Sequence, residues 1–271
     1  MNPWRTSTGI AGERAFRLAT LSALAILTLF FSGILVSLAA YTDWTTFFSI
    51  LASKEILGAI RLTLVTATMA ALISMILAIP AAYALSQTKF PGKDIVDTIL
   101  DLPIVVSPIA LGAALLVFFN TPVGMGIENN LMKFVFEVPG IVLAQFTVIN
   151  ALAVRLLKAT FDGINPRYER VGRTLGYTKT AVFFKITLPL ARNGLLASAV
   201  LTWARAIGEF GATVTLAGAM KMKTETLPVA IFLNLATADV EKAVAVVFVL
   251  IVIAAGALMV LRKMTVKREV L

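Results

Sequence analysis

The feature that most constrains this chain is a series of long apolar runs, each bounded by charge. The first, 18–42, has no charged residue between Arg17 and Asp43. Others occupy 62–88, 102–127, 138–154, 193–218 and 243–261. About 20 apolar residues in helical form cross a bilayer core, so each run is long enough or nearly so. A soluble domain could not hide them all: 59% of the chain is apolar and 14% charged, too little polar surface to cover a core of this size. The pattern predicts an all-α polytopic membrane protein with six transmembrane helices. The second run contains Pro80, the third ends in a loop-like Asn120-Thr121-Pro122, the fourth extends through Arg155 towards Lys158, and the fifth is interrupted by Arg205 and Glu209. The first run has a rival reading as a signal peptide, with Arg14 and Arg17 before it and Ser37-Leu38-Ala39 as a small-x-small site. Its length exceeds a signal core of about 7–15 residues, and we read it as a retained helix.

The net charge of +9 does not indicate nucleic acid, because the basic residues gather at the ends of apolar runs rather than along a soluble face. One set of ends holds Arg14 and Arg17, then Lys89 and Lys93, then the connection 158–192, then Arg262 and Lys263; Arg5, Lys267 and Arg268 extend it. The opposite ends hold Lys54, Arg61, Lys133, Lys221, Lys223 and Lys242. The positive-inside rule makes the first set cytoplasmic. Both termini are then expected inside a multi-pass protein of the cell membrane. The chain has neither Cys nor His, which removes disulfides, thiolate chemistry, ordinary zinc sites and Ser-His-Asp triads. No cofactor is expected.

The connection Lys158–Arg192 carries seven Lys/Arg against two acids. Asn165-Pro166 suits a helix start, Gly176 a helix stop, and Thr178 the cap of a second short helix running into Phe183, Phe184 and Ile186. Pro189 and Gly194 punctuate the return to the membrane. By composition alone, this is either an amphipathic helix pair on anionic lipid or a docking platform. Its spacing adds more. Gly176, nine residues, then Ile186-Thr187-Leu188-Pro189 resembles the cytoplasmic loop of binding-protein-dependent ABC importer permeases, whose pattern is Glu-Ala-Ala, three residues, Gly, nine residues, Ile-x-Leu-Pro. Arg170, Val171 and Gly172 stand at the Glu-Ala-Ala positions, a departure, with Glu169 one residue early. The resemblance implies that Arg167, Tyr168, Glu169, Arg170, Arg173, Leu175, Gly176, Tyr177, Ile186 and Pro189 couple the chain to a separate ATPase subunit. The chain has no Gly-x4-Gly-Lys-Ser/Thr loop of its own, so it is not expected to be an enzyme.

The fifth run places Arg205 and Glu209 four residues apart, on one helical face. Charges at membrane depth are costly unless paired or hydrated. They form either a packing pair or part of a polar pathway with Gly208, Gly211, Thr213 and Thr215. Glu209-Phe210-Gly211-Ala212 resembles the signature of the sulfate/molybdate/tungstate branch of these permeases. So does Lys223-Thr224-Glu225-Thr226-Leu227-Pro228 with the short apolar piece 227–236, too short to span and read as external or re-entrant. Hydroxyls at Thr63, Thr66, Thr68, Ser74, Thr147, Ser198, Thr202, Thr213 and Thr215 could donate to an oxyanion or bond back within their own helices. Pro80, Pro103 and Pro108 are expected to break helical ladders.

The resemblance covers about 56–262 and implies a type I ABC importer permease: a cytoplasmic N-terminus 1–17, a first helix 18–42, a core 56–262 with coupling loop 158–192, and a tail 263–271. It further implies a molybdate or tungstate cargo, with sulfate or thiosulfate as alternative. The implied partners are two ABC ATPase subunits, an extracytoplasmic substrate-binding protein and a second copy in a homodimer, all in the lipid bilayer. An ion-coupled secondary transporter is the competing class, and a membrane-embedded enzyme of carboxylates alone is a third.

Overall fold

The computed structural model describes residues 7–266. Arg5, Lys267 and Arg268 lie outside them. Two compact units are formed, 1–47 and 48–271. The first contains α1 (Ser7–Tyr41), which starts well before the apolar run and is exposed along its apolar length. It also holds the start of α2 (Trp44–Leu51), where the Asp43 carboxylate accepts from the Thr45 amide and the Thr45 and Thr46 hydroxyls.

The second unit is built on α3 (Lys54–Gln87) and α7 (Val138–Asp162). Small buried residues recur along α3 at helical spacing: Ala59, Ala67, Ala70, Ala71, Ser74, Ala78 and Ala82. Residues without bulk let two backbones approach closely, which drives helix association where water is absent. The stripe meets Ile149, Ala153, Val154, Leu157 and Phe161 of α7. Ser53 caps α3, its hydroxyl accepting from the Ile56 amide at 3.3 Å.

Around this pair lie α4 (Lys93–Val105), α5 (Pro108–Phe119), α6 (Pro122–Asn130), α8 (Arg167–Thr174) and α9 (Lys179–Val182). A π turn (Phe183–Thr187) leads into α10 (Leu188–Ile207), followed by α11 (Gly211–Ala217), α12 (Leu227–Ala236) and α13 (Val240–Val266). No strand occurs among the described residues, and the all-α polytopic architecture is as expected.

The number of unbroken spans differs from six. Four helices are long and apolar enough to cross a membrane: Gly12–Tyr41, Lys54–Gln87, Val138–Asp162 and Val240–Val260. A fifth requires α4 and α5 together, bent by 113°. The third expected run is therefore two helices. The Ser107 hydroxyl accepts from the Ala110 amide and Pro108 opens α5; proline restrains the residue before it from helical geometry. The fifth expected run is likewise divided, into α10 and α11. Pro80 and Pro103 lie inside α3 and α4; each lacks the amide hydrogen that would complete the helical ladder, yet neither ends its helix. Neither Pro189 nor Gly194 interrupts the return to the membrane. Pro189 sits in the first turn of α10, after the π turn in which the Leu188 amide reaches the Phe183 carbonyl; that wider turn relieves the clash of a proline ring with the preceding turn. Gly194 is a packing contact, because a Cβ there would meet the Thr160 side chain at 2.2 Å.

Arg155 lies well inside α7, and α4 supplies its partners. Its guanidinium reaches Asp97 Oδ1 at 3.1 Å and binds both carboxylate oxygens of Asp101. A forked donor on paired carboxylates is the arrangement that makes an arginine tolerable at depth.

The α3–α7 stripe yields a direct check. Ala78 is fully buried, and Ala78→Leu adds bulk where the backbones need contact. The variant is expected to lose about 1–3 kcal/mol, read as a lowered thermal midpoint in detergent, whereas Leu77→Ala on the exposed side of the same turn changes little.

Candidate functional site: a clamped platform and a polar junction

The platform folds as its punctuation dictates, with one shift. Pro166 precedes α8, and the Asn165 side chain accepts from the Arg167 amide at 3.0 Å. Gly176 is left-handed (φ +88°). Its amide reaches the Arg173 carbonyl and the Tyr177 amide the Gly172 carbonyl, the paired bonds that close a helix C-terminus on glycine. Thr178 caps α9 by accepting from the Ala181 amide at 3.2 Å. Arg173 Nη1 donates to the Tyr177 carbonyl at 2.9 Å, and Lys185 Nζ stands 5.3 Å from the Tyr177 ring centre.

Two residues decide how the platform is held. Glu169 turns inward. It accepts from the Thr187 hydroxyl at 2.6 Å and from the Tyr83 hydroxyl at 3.3 Å, tying α8 to the π turn and to the end of α3. Gly172 is buried, and a Cβ there would meet Ile186 Cδ1 at 2.5 Å and Val182 Cγ2 at 3.1 Å. The departure from the Glu-Ala-Ala pattern thus resolves physically: the inward carboxylate is Glu169, and the close contact with Ile186 is made at Gly172. Tyr83 also packs on Phe161 (5.6 Å) and Phe183 (4.7 Å). Beside this clamp is an open cleft of about 790 Å³, lined by Pro80, Tyr83, Glu169, Arg170, Phe183 and Phe184. The platform is therefore held to α3 by the Glu169 clamp and by the packing of Phe183 on Tyr83, with the cleft open beside them.

The other face of α8 is uncovered. Arg167, Arg170, Arg173 and Pro189 are exposed, as are Tyr168, Val171, Leu175 and Tyr177; Leu175 is 72% exposed. Apolar side chains within a basic rim make a surface suited to a protein partner.

The polar junction lies elsewhere along the same helices. Trp203 Nε1 donates to Thr68 Oγ1 at 3.0 Å, which sets the last turn of α10 near the middle of α3. There Arg205 Nη1 pairs with Glu209 Oε2 at 2.8 Å, and Glu209 Oε1 accepts from the Ala212 amide at 3.1 Å. Gly208 ends α10. Gly211 opens α11 against the break in the other divided run: a Cβ would meet Ile109 Cγ1 at 2.9 Å and the Ile109 amide nitrogen at 3.0 Å. Gly112 faces Ala212 and Thr215 as closely. The two broken runs thus meet at their breaks. Gln145 of α7 donates to the Ala206 carbonyl at 3.2 Å.

The candidate hydroxyls divide. Thr63, Thr66, Thr147 and Thr215 bond back to carbonyls one turn earlier, and Thr63 also receives the Leu227 amide at 2.8 Å. Thr68 receives Trp203, and Ser74 donates to Asn150 at 3.2 Å. Thr202 and Thr213 are buried with hydroxyls that have no protein partner. Glu169's clamp, Gly172 and Gln145 were not singled out by sequence reasoning for these roles.

At the opposite end of α3 from the platform, the loop 218–226 is pinned. Glu55 binds Lys221 at 3.3 Å and Lys242 at 2.7 Å, and Lys223 binds Glu137 at 2.5 Å. Glu225 is buried and accepts from the Met222 amide at 3.0 Å. Burial first, and then the neighbouring Glu55, raise its pKa above the ordinary value of 4.5. α12 follows as a short buried helix against α3 and α13, too short to span, as expected.

These features define a polytopic helical protein with an exposed basic platform and a polar junction where two divided runs meet. The chain belongs to the family of binding-protein-dependent transport system inner membrane components, which matches residues 72–264. It is 36% identical over 207 residues to a probable molybdenum ABC transporter permease protein of Haloferax volcanii, covering 76% of this chain and 75% of that one. It is 35% identical over 190 residues to the molybdenum transport system permease protein ModB of Escherichia coli K12 (69% and 83% covered). Similarity to the sulfate transport system permease protein CysW of Synechocystis is 31% over 185 residues (68% and 67% covered). The fold matches a chain in the crystal structure of a bacterial alginate ABC transporter in complex with an alginate pentasaccharide-bound periplasmic protein, with a TM-score of 0.76 at 18% identity, covering 97% of this chain and 98% of that one.

Two outcomes follow from this geometry. Gly172→Leu is expected to push α8 off Ile186 and break the Glu169 clamp. Amide exchange over 167–174 should then accelerate while the α3–α7 stripe stays protected. For Glu225, a raised pKa means that the folded state holds a proton more tightly than the unfolded one. Its stabilising contribution is full below pH 4.5 and is lost as pH rises through the raised value. Glu225→Gln is therefore expected to melt above the wild type near pH 8, with the gap closing towards pH 4, in thermal scans across that range.

Proposed function

We propose that this chain is the permease subunit of an ATP-driven importer for a tetrahedral oxyanion, molybdate or tungstate, with sulfate as the alternative cargo. The observation that carries the reading is the clamped platform: an apolar face ringed by Arg167, Arg170 and Arg173, held by Glu169 to α3 and continuous through the π turn with α10. Such a surface suits a separate ATPase subunit, which would grip α8 and shift it as a rigid body. Tyr168, Glu169, Leu175, Gly176, Tyr177, Ile186 and Pro189 complete the coupling loop.

The molybdenum permease relatives support the cargo, and the similarity to CysW keeps sulfate as the alternative. Arg205, Gly208, Glu209, Gly211, Thr213 and Thr215 form the pathway or gate where the broken runs meet. Half a pathway implies a second copy of the chain, in a homodimer. A substrate-binding protein would dock on the outer side near 43–55, 120–137 and 219–242, and the Lys/Arg distribution supports cytoplasmic termini.

Leu175→Asp is expected to reduce copurification with the ATPase by more than about tenfold, a loss typical of a charge forced into an apolar anchor site, while membrane yield is kept. Retained ATPase binding overturns the docking role. Uptake of radiolabelled molybdate by vesicles carrying the full transporter should depend on ATP and survive collapse of ion gradients. Preference for labelled sulfate over molybdate would reassign the cargo.

A further inference from the structure

The ion pair at the α10–α11 break is asymmetric, and the asymmetry shows which partner can leave. The Glu209 side chain is 1% exposed and Arg205 39% exposed. Glu209 is fixed from two sides: one oxygen receives the Ala212 amide at 3.1 Å and the other receives Arg205 at 2.8 Å. Arg205 is fixed from one side. Among the described residues its guanidinium is bound by Glu209 alone, and much of it faces open space. A planar guanidinium with free N–H donors is the group best shaped to take two oxygens of a tetrahedral anion.

The surroundings are polar and incompletely satisfied. Thr202 lies three residues before Arg205, on the same helical face, and its buried hydroxyl has no protein partner. Thr213, next to the amide that Glu209 caps, is buried with an unpartnered hydroxyl as well. The Gln145 carboxamide nitrogen holds the Ala206 carbonyl while its oxygen is unpartnered. Buried polar groups are nearly always paired, and three of the seven unpartnered buried side-chain atoms among the described residues belong to residues at this junction, a setting suited to a polar guest.

We propose that Glu209 is a built-in competitor for the transported anion. In the empty permease its carboxylate occupies Arg205; an arriving dianion takes Arg205 over, and Glu209 stays behind on the Ala212 amide. This inference rests on the oxyanion-import reading and assigns Glu209 a role within it. The exchange answers a physical problem. A bare arginine in a low-dielectric interior would hold a dianion too firmly for release, because conduction needs sites weak enough to leave. A carboxylate waiting four residues away takes the arginine back and lowers the affinity of the site. It also links occupancy to the junction, since the pair that spans the α10–α11 break is open when the anion is bound.

The test measures binding of radiolabelled molybdate to the complete transporter in nanodiscs, without binding protein or ATP, alongside uptake. Glu209→Gln keeps an oxygen for the Ala212 amide and removes the charge. Its molybdate affinity should rise about tenfold, within the range that charge pairs confer, while release slows and uptake falls. Arg205→Gln should abolish binding in both the wild-type and the Glu209→Gln background. Unchanged or weaker binding by a folded Glu209→Gln protein, or a gain that persists without Arg205, overturns the proposal and leaves a packing pair. If Glu209→Gln fails to fold, the wild type still decides: molybdate should protect Arg205 from phenylglyoxal, read by mass spectrometry, and lack of protection overturns the proposal. Wild-type transporter that imports neither molybdate nor sulfate overturns the import reading itself, and this inference with it.

Discussion

The close approach of α3 to α7 is the constraint on which the second unit depends. Ala67, Ala70, Ala71, Ser74, Ala78 and Ala82 present almost no side-chain bulk to the facing helix. In a bilayer the lipid is as apolar as leucine, so hydrophobicity alone gives two helices no reason to meet; contact between small residues does. Once α3 and α7 are joined, the other elements have fixed ground to stand on. α10 packs through Ala191 and Ala206, α11 through Ala212 and Leu216, and α12 through Leu227 and Ala230. Gly194 against Thr160 extends the same principle to the α7–α10 contact.

Charged groups enter this frame at two places along the helices. Arg155 is met by Asp97 and Asp101 and holds α4 against α7. Arg205 is met by Glu209, yet the pair is left partly open and neighbours unsatisfied Thr202 and Thr213. The first arrangement engages one guanidinium with two carboxylates from the neighbouring helix and suits a structural tie. The second keeps donor capacity in reserve and lies where two broken runs abut, at Gly211 against Ile109. That contrast separates a pair that holds helices together from one suited to a pathway.

Much of this was legible in the sequence. The apolar runs located α1, α3, α7 and α13, and Gly176 and Thr178 marked the turn between α8 and α9 because a left-handed residue and a hydroxyl cap each have narrow chemical requirements. A proline alone did not tell a helix start from a helix interior. Ser107-Pro108 and Thr121-Pro122 each pair a capping hydroxyl with a proline in the first turn, and both start helices. Ile79-Pro80 and Leu102-Pro103 lack the cap, and both lie inside helices. Glu169 and Gly172 were harder. Which acid turns inward depends on Tyr83 and Thr187, and the need for a missing side chain at 172 depends on Ile186. Those contacts are made by distant segments, and no local pattern encodes them.

The platform and the polar junction are joined by one continuous helical stretch. From Lys179 to Ile207 the chain is helical throughout, as α9, the π turn and α10 in succession. This helical segment has the platform at one end and Arg205 in its last turn. The clamp connects that segment to α3 through Glu169 and Thr187, and Trp203 connects it again through Thr68. Between these two ties the cleft beside Phe183 and Tyr83 leaves room for the platform end to move. In the proposed cycle, a partner that displaces α8 therefore displaces α10 relative to α3. That displacement would reach the junction at which Gly211, with no side chain of its own, rests on Ile109. Substituting bulk at Gly211 would separate α11 from α5, so the absence of a side chain there is what allows the two breaks to close on each other.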